Sequence, residues 1–246
     1  MCGRYASSAN PDDLVEEFQV DDVDPAVIAA AASADFNVAP TKDVFAVLER
    51  VHDDTIVRRL RFVRWGLVPS WAKDLSIGNR MINARAESLA EKPAYRRAFS
   101  RRRCILPADG YYEWRAAAAK GARKQPFFIR RRDGQRLAMA GIYEIWRNAE
   151  VAEDAAGAFV WSASIITRPA NPDTEFIHDR MPALLREDEW SWWLDPSAGD
   201  GQLPEPTAVG VLEAYPVSTA VNNVRNNGAD LLRPLPPDEA LGPDGH

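Results

Sequence analysis

The 246-residue chain is poor in metal-binding and redox-active side chains: it has two cysteines, Cys2 and Cys104, and three histidines, His52, His178 and His246. No C-x-x-C or H-E-x-x-H spacing occurs, so no zinc site is expected, and no other metal or cofactor is implied. Two cysteines cannot build a disulfide framework in a reducing compartment. No apolar run approaches the roughly 18 residues a membrane-spanning helix needs. The N-terminus lacks the basic-then-apolar pattern of a secretory signal, and a cytoplasmic location is expected. There is no glycine-rich phosphate loop, no dinucleotide fingerprint and no internal repeat.

What is present is a chain with material for a large core, 46% hydrophobic with eight Trp, and a strongly uneven charge. Residues 56–136 carry 21 Lys/Arg and 6 Asp/Glu, a net of +15, so the remainder carries −21 against −6 overall. This basic third is interleaved with Trp65, Trp71, Tyr95, Phe99, Tyr111, Tyr112 and Trp114. Cations that track a backbone, with rings that stack on bases, are the signature of a single-stranded nucleic-acid groove. A solvated basic face balanced by acidic termini gives the same composition.

Local signals place the elements. Asn10-Pro11-Asp12-Asp13 predicts a helix start with Asn10 at N-cap, running to about Val20. A second short helix is expected within residues 21–34, and Phe36 to Thr41 as a turn-like entry to strands. Val44 to Val51 and Thr55 to Trp65 read as a hairpin around His52-Asp53-Asp54. Glu87 to Phe99 has helical spacing, and Cys104 to Pro107 reads as a short strand with Cys104 a core thiol. In the strand Tyr111-Tyr112-Glu113-Trp114, alternation puts Tyr111 and Glu113 on one face. A carboxylate there is costly to bury without a partner, which an Arg could supply. Ala116 to Lys124 reads as a mobile hairpin loop. Gln125 to Arg131 and Gln135 to Trp146 are expected to pair as a hairpin around Asp133-Gly134. Ala158 to Thr167 reads as a buried strand, Glu187 to Leu194 as a Trp-rich helix, Val209 to Val217 as a strand, and 234–246 as a disordered tail after a domain spanning 2–233. Many short strands with few helices predict an α+β fold: one domain with a mixed, strongly bent, barrel-like sheet and peripheral helices.

The chain opens Met1-Cys2-Gly3-Arg4-Tyr5. Cysteine is small enough to permit removal of an initiator Met, and the mature chain would then begin with Cys2. That residue would carry an amine of pKa about 7.7–8.0 beside a thiol of about 8.5. Such a 1,2-aminothiol traps aldehydes: the amine forms an imine and the sulfur closes a thiazolidine, the second attack being intramolecular. An N-terminal Cys is, by itself, more often incidental.

Five motifs remove that ambiguity. Met1-Cys2-Gly3-Arg4, Trp65-Gly66-Leu67-Val68-Pro69-Ser70-Trp71, Asn83-Ala84-Arg85-Ala86-Glu87, Arg103 to Pro107 with Gly110-Tyr111-Tyr112-Glu113-Trp114, and Ile177-His178-Asp179-Arg180-Met181-Pro182 occur in that order. Together they resemble the SRAP family, the SOS response-associated peptidase domain, over about residues 2–230. The resemblance implies a single domain on a barrel-like core. It implies covalent capture of abasic sites in single-stranded DNA through Cys2; a monomer, at the nucleoid when bound to DNA, is expected. It also implies catalytic roles for Cys2, Asn83, Glu113 and His178, and phosphate contacts for Arg4 and Arg85. Trp71 and Trp114 are the expected stacking residues. The electropositive neighbourhood of Arg4 and Arg85 is expected to favour the Cys2 thiolate.

Two other functions fit part of the pattern. A thiol peptidase would use Cys2 as nucleophile with His178 as base and Glu113 as orienter, and could remove Met1 itself. A non-covalent binder of single-stranded nucleic acid would use the charge and aromatics but leave Cys2 without a role.

Overall fold

In the computed structural model, residues 2–30, 34–117, 122–198, 202–236 and 238–240 are described. Thirteen strands form among them: β1 (Tyr5–Ser7), β2 (Asp22–Val23), β3 (Asp35–Val38), β4 (Asp43–His52), β5 (Thr55–Trp65), β6 (Asn83–Arg85), β7 (Arg103–Ala108), β8 (Gly110–Arg115), β9 (Gln125–Arg131), β10 (Leu137–Arg147), β11 (Phe159–Pro169), β12 (Arg180–Pro182) and β13 (Leu212–Pro216). Four short helices accompany them: α1 (Pro11–Glu17), α2 (Pro25–Ala29), α3 (Pro93–Arg101) and α4 (Trp190–Leu194). None of the described helices is long and apolar enough to cross a membrane.

Five strands close into a ring. β10 lies between β7 and β11, β7 pairs β4, β4 pairs β5, and β5 returns to β11 through a parallel contact that aligns Arg64 with Ser162. The bent sheet expected from the sequence is thus a closed mixed barrel in an α+β domain. A second, antiparallel sheet runs β13-β9-β8-β1-β3.

Side-chain alternation divides the ring's two faces between two cores. Val44, Ala46, Leu48, Val63, Trp65, Cys104, Leu106, Met139, Ala163 and Ile165 meet Cys2, Tyr5, Tyr111, Phe127 and Ile129 from the second sheet. The intervening residues Phe45, Val47, Leu60, Ile105, Ala140, Ile142 and Ile166 pack under the helices, against Leu14, Phe18, Phe99, Trp190 and Trp193.

Local chemistry explains the joints. Asn10 Oδ1 accepts the Asp13 N–H at 2.9 Å, capping α1 with Pro11 at its first turn. The β4–β5 turn is two residues, Asp53 and Asp54, both with positive φ, as the tight hairpin geometry demands. Gly66 leaves the ring at φ +128°, and a Cβ there would lie 2.5 Å from the Gly78 carbonyl oxygen, which accounts for the glycine in the Trp65-to-Trp71 motif. Asp35–Val38 is a true strand rather than the expected turn-like entry.

One pairing differs from expectation. β9 and β10 flank the Asp133-Gly134 turn but do not pair: β9 is held by β8 and β13, and β10 by β7 and β11. The turn therefore carries the chain from the second sheet to the ring. β8 and β9 instead form the hairpin, with Arg115 opposite Gln125; residues 118–121 of its loop lie outside the described residues. At the C-terminal end, Pro234 bridges Val217 and the Leu235 N–H donates to the Pro216 carbonyl at 2.9 Å, so backbone pairing continues past residue 233; residues 241–246 are not among those described.

Candidate functional site

The N-terminal segment enters the core directly. β1 is inserted between β3 and β8, with Tyr5 opposite Tyr111, and the Tyr112 N–H donates to the Arg4 carbonyl at 2.9 Å. This insertion buries Cys2 completely. β6, aligned parallel to β11 with Asn83 opposite Ile165, brings Asn83 to the same point. The Asn83 Nδ2 donates to the Cys2 carbonyl at 2.7 Å, while its Oδ1 is buried without a hydrogen-bond partner.

Glu113 is buried on β8, where its Oε2 accepts the Trp114 N–H at 3.3 Å. Burial pushes the Cys2 thiol well above its ordinary range, and the nearby Glu113 charge pushes it further; the N-terminal ammonium and the Arg4 backbone N–H oppose the shift but do not reverse it. The expected thiolate is therefore not favoured in this fold. The Arg4 guanidinium, which was to supply the positive field, is directed elsewhere.

Its Nη1 donates to Asn37 Oδ1 at 2.7 Å and to the Val221 carbonyl at 2.8 Å. Asn37, fully buried, also donates to the Asn223 and Asn226 carbonyls at 3.0 and 2.8 Å, and Trp114 Nε1 donates to Asn222 Oδ1 at 2.7 Å. Arg4, Asn37 and Trp114 thus fasten residues 221–226 over the second sheet. Asn37 was not singled out in the sequence; a buried amide in a strand leaves no periodic signal.

His178 lies on the loop between β11 and β12, partly exposed, with Ile177 before it packed in the core that holds Cys2. Its Nδ1 faces two groups: the Arg180 N–H donates to it at 3.0 Å, and an Asp179 carboxylate oxygen lies 2.8 Å away. A bare Nδ1 accepts from Arg180 and an Nδ1–H donates to Asp179, so each contact selects its own tautomer of the ring. Arg180 also grips Glu87 with both Nη atoms, at 2.6 and 3.0 Å, holding that carboxyl below its usual range. This fork joins the Asn83-to-Glu87 motif to the Ile177-to-Pro182 motif.

The aromatic and basic residues of the middle third separate into two groups. Trp65, Tyr111, Tyr112, Tyr95 and Phe99 are buried in the cores and offer no stacking face, whereas Trp71 is 61% exposed and Trp114 half-buried. Many of the cations are also committed. Arg58, Arg59, Arg61 and Arg136 pair with Glu49, Asp22, Asp24 and Glu17, and Arg102 pairs with Glu144. Buried Arg103 donates to the Asp195 and Ala198 carbonyls at 2.6 and 3.0 Å. Trp71, Lys73, Arg80 and Arg85 remain exposed along the segment leading into β6.

An open recess of about 650 Å³ between Arg130, Arg136, Arg186 and Trp190 contains none of Cys2, Asn83, Glu113 and His178. Among its lining residues, Arg136 already pairs with Glu17 and lies 3.7 Å from Asp109. The chemistry converges instead at the buried N-terminus.

Fold and site together describe an α+β barrel that holds a thiol-bearing residue near its N-terminus in the core. The family model described as SOS response associated peptidase (SRAP) matches residues 1–224, and the chain belongs to that family. It is 38% identical over 236 residues to abasic site processing protein YoqW of Bacillus subtilis, covering 94% of this chain and 99% of that protein. It is 34% identical over 245 residues to abasic site processing protein YedK of Escherichia coli, covering 96% and 100%. A crystal structure of a protein from Bacteroides thetaiotaomicron superposes with a TM-score of 0.79 at 26% identity, covering 95% of this chain and all of that one.

Proposed function

We propose that this protein processes abasic sites in single-stranded DNA by covalent capture through Cys2, after removal of Met1. The observation that carries the reading is the 2.7 Å hydrogen bond from Asn83 to the Cys2 carbonyl, with the Glu113 charge acting on the Cys2 thiol. The names of the relatives supply the substrate class. Placement of Met1 lies outside the described residues.

The 1,2-aminothiol chemistry supplies the order of events. The amine of Cys2, not the sulfur, makes the first attack on the C1′ aldehyde of the ring-opened sugar. The carbinolamine then loses its hydroxyl as water, which needs a proton donor, and Glu113 is assigned that role. In the closing step the Cys2 thiol proton passes to the Glu113 carboxylate. The sulfur forms a bond to C1′, the imine π-pair moves to nitrogen, and nitrogen takes up the proton. One water leaves overall and nothing is oxidised. His178, whose Nδ1 is set between the Arg180 N–H and the Asp179 carboxylate, is assigned to opening the closed sugar. Asn83 fixes the residue that carries both nucleophiles, so that the second attack is intramolecular. Trp71, Lys73, Arg80 and Arg85 form the DNA-facing side, and the protein acts as a monomer in the cytoplasm.

A thiol peptidase, the activity in the family's description, fits less well because it needs the Cys2 thiolate as its first nucleophile, and burial with the Glu113 charge disfavours that thiolate. Intact-mass measurement after mixing with an abasic single-stranded oligonucleotide tests the reading. The expected product is protein lacking Met1 plus oligonucleotide, less one water. No adduct, or an adduct that retains Met1, refutes it.

A further inference from the structure

Tyr111 has no role in the account so far, and packing alone does not explain it. It is completely buried, lies opposite Tyr5, and shares the β8 face with Glu113. Its ring belongs to the same core as Cys2. Its hydroxyl is buried and makes no hydrogen bond of good geometry; the buried Thr174 hydroxyl beside it is a weak partner at most. A buried hydroxyl without a partner costs free energy comparable to a lost hydrogen bond, and in a native fold such a group calls for a reason. The charged groups acting on it are Cys2, Glu113 and, from the loop after β11, Asp173. Cys2 in turn is acted on by Glu113, the N-terminal ammonium and the Arg4 backbone N–H. Tyr111 is therefore a buried donor in the core that holds Cys2, on the strand face that carries Glu113.

We propose that Tyr111 is a positioning residue for the Cys2–Glu113 pair: its hydroxyl donates to whichever of the sulfur and the carboxylate bears the negative charge as the proton passes between them. The inference rests on the proposed chemistry of Cys2. In the closing step the Sγ–H bond breaks, its proton moves to a Glu113 oxygen, and charge moves the opposite way. A donor that does not itself ionise stabilises both ends of that transfer. Burial raises the Tyr111 phenol well above its usual range, which keeps its proton in place.

Tyr111→Phe keeps the ring and removes only the donor. On DNA-free protein at pH 8, iodoacetamide alkylation of Cys2 divided by that of Cys104, which is equally buried, reports the Cys2 thiolate fraction with core opening cancelled. Loss of a hydrogen bond to a charged group predicts Cys2 alkylation slower by roughly 10-fold or more, with Cys104 unchanged. Single-turnover crosslinking to an abasic oligonucleotide should slow by a similar factor, with unchanged affinity for an intact one. Thr174→Val, which leaves the Tyr111 hydroxyl to Cys2 and Glu113 alone, should not slow Cys2 alkylation, and gives a second reading should Tyr111→Phe fold poorly. Unchanged Cys2 alkylation in Tyr111→Phe, acceleration of both thiols together, or slower Cys2 alkylation in Thr174→Val overturns the inference. If the wild type forms no DNA adduct while Tyr111→Phe still slows Cys2 alone, the DNA reading falls and the Tyr111 assignment stands.

Discussion

Asn83 offers the sharpest test of the site. Its Nδ2 reaches the Cys2 carbonyl at 2.7 Å from a strand only three residues long. Asn83→Ala removes this bond, whose net worth is about 0.5–1.5 kcal/mol, and strands a buried carbonyl, which costs about 1–3 kcal/mol. Much of that cost is avoidable only by letting Cys2 swing away, and displacement of a paired nucleophile forfeits effective molarity. Single-turnover crosslinking should therefore slow roughly 10- to 100-fold. Asn83→Asp is nearly isosteric but places an oxygen where the amide nitrogen was, facing the carbonyl oxygen, and adds negative charge beside a thiol already burdened by Glu113. The order of rates should be wild type, then Asn83→Ala, then Asn83→Asp. Affinity for an intact single-stranded oligonucleotide, measured by fluorescence anisotropy, should stay within about twofold for Asn83→Ala, since Asn83 faces inward. An Asn83→Asp variant as fast as Asn83→Ala, or an Asn83→Ala variant as fast as wild type, refutes the reasoning.

The other tests address separate steps. Cys2→Ser should lose the stable adduct yet leave an imine trappable by borohydride; a heat-stable crosslink from this variant would identify a different nucleophile. Glu113→Gln should slow crosslinking by about 10²–10⁴-fold, and His178→Ala should recover on an oligonucleotide bearing a permanently open aldehyde while Glu113→Gln does not. Equal rescue of both variants would end that division of labour. Arg85→Ala should reduce the salt slope of single-strand binding by about 0.7, whereas Arg4→Ala should lower Tm by releasing Val221 and Asn37; an unchanged slope removes Arg85 from the phosphate contacts. Buried Cys2 and Cys104 both have thiols raised above the ordinary value of 9.0. Stability from each is full below that value and is lost as pH rises above it, because the unfolded thiol ionises first, by at most about 1.4 kcal/mol per unit. Tm should fall from pH 8 to 9.5, less steeply in Cys104→Ser; an unchanged slope contradicts it.

Local signals in the sequence located most elements, because caps and tight turns depend on neighbours along the chain. Asn10 with Pro11, and Asp53 with Asp54, act within four residues of themselves. Asp133-Gly134 shows the limit: the turn forms, yet the partner of each flanking strand is chosen by the rest of the sheet. The parallel closure of β5 on β11 has no local sign at all. At the site, the motifs carried Cys2, Asn83, Glu113 and His178 to attention. Period-two alternation already put Tyr111 beside Glu113, but an aromatic ring in a basic segment reads equally well as a stacking platform. Charge misled for the same reason. Composition counts cations and cannot tell that Arg103 is spent on carbonyls or Arg61 on Asp24, and it placed positive charge beside a thiol whose field is set by burial and a carboxylate.

Insertion of β1 between β3 and β8 also fixes when the N-terminus disappears from view. Tyr5 pairs with Val38 on one side and with Tyr111 on the other, and Asn83 reaches Cys2 only from β6. During synthesis, at roughly 5–20 residues per second, these partners emerge many seconds apart. For that interval the segment around Cys2 has no core to enter, and a processing enzyme on the ribosome can reach it. Once β8 docks, Cys2 is fully enclosed. On the proposed reading, strand order therefore gives a processing enzyme its readiest access to the segment ahead of Cys2 while the chain is still being made.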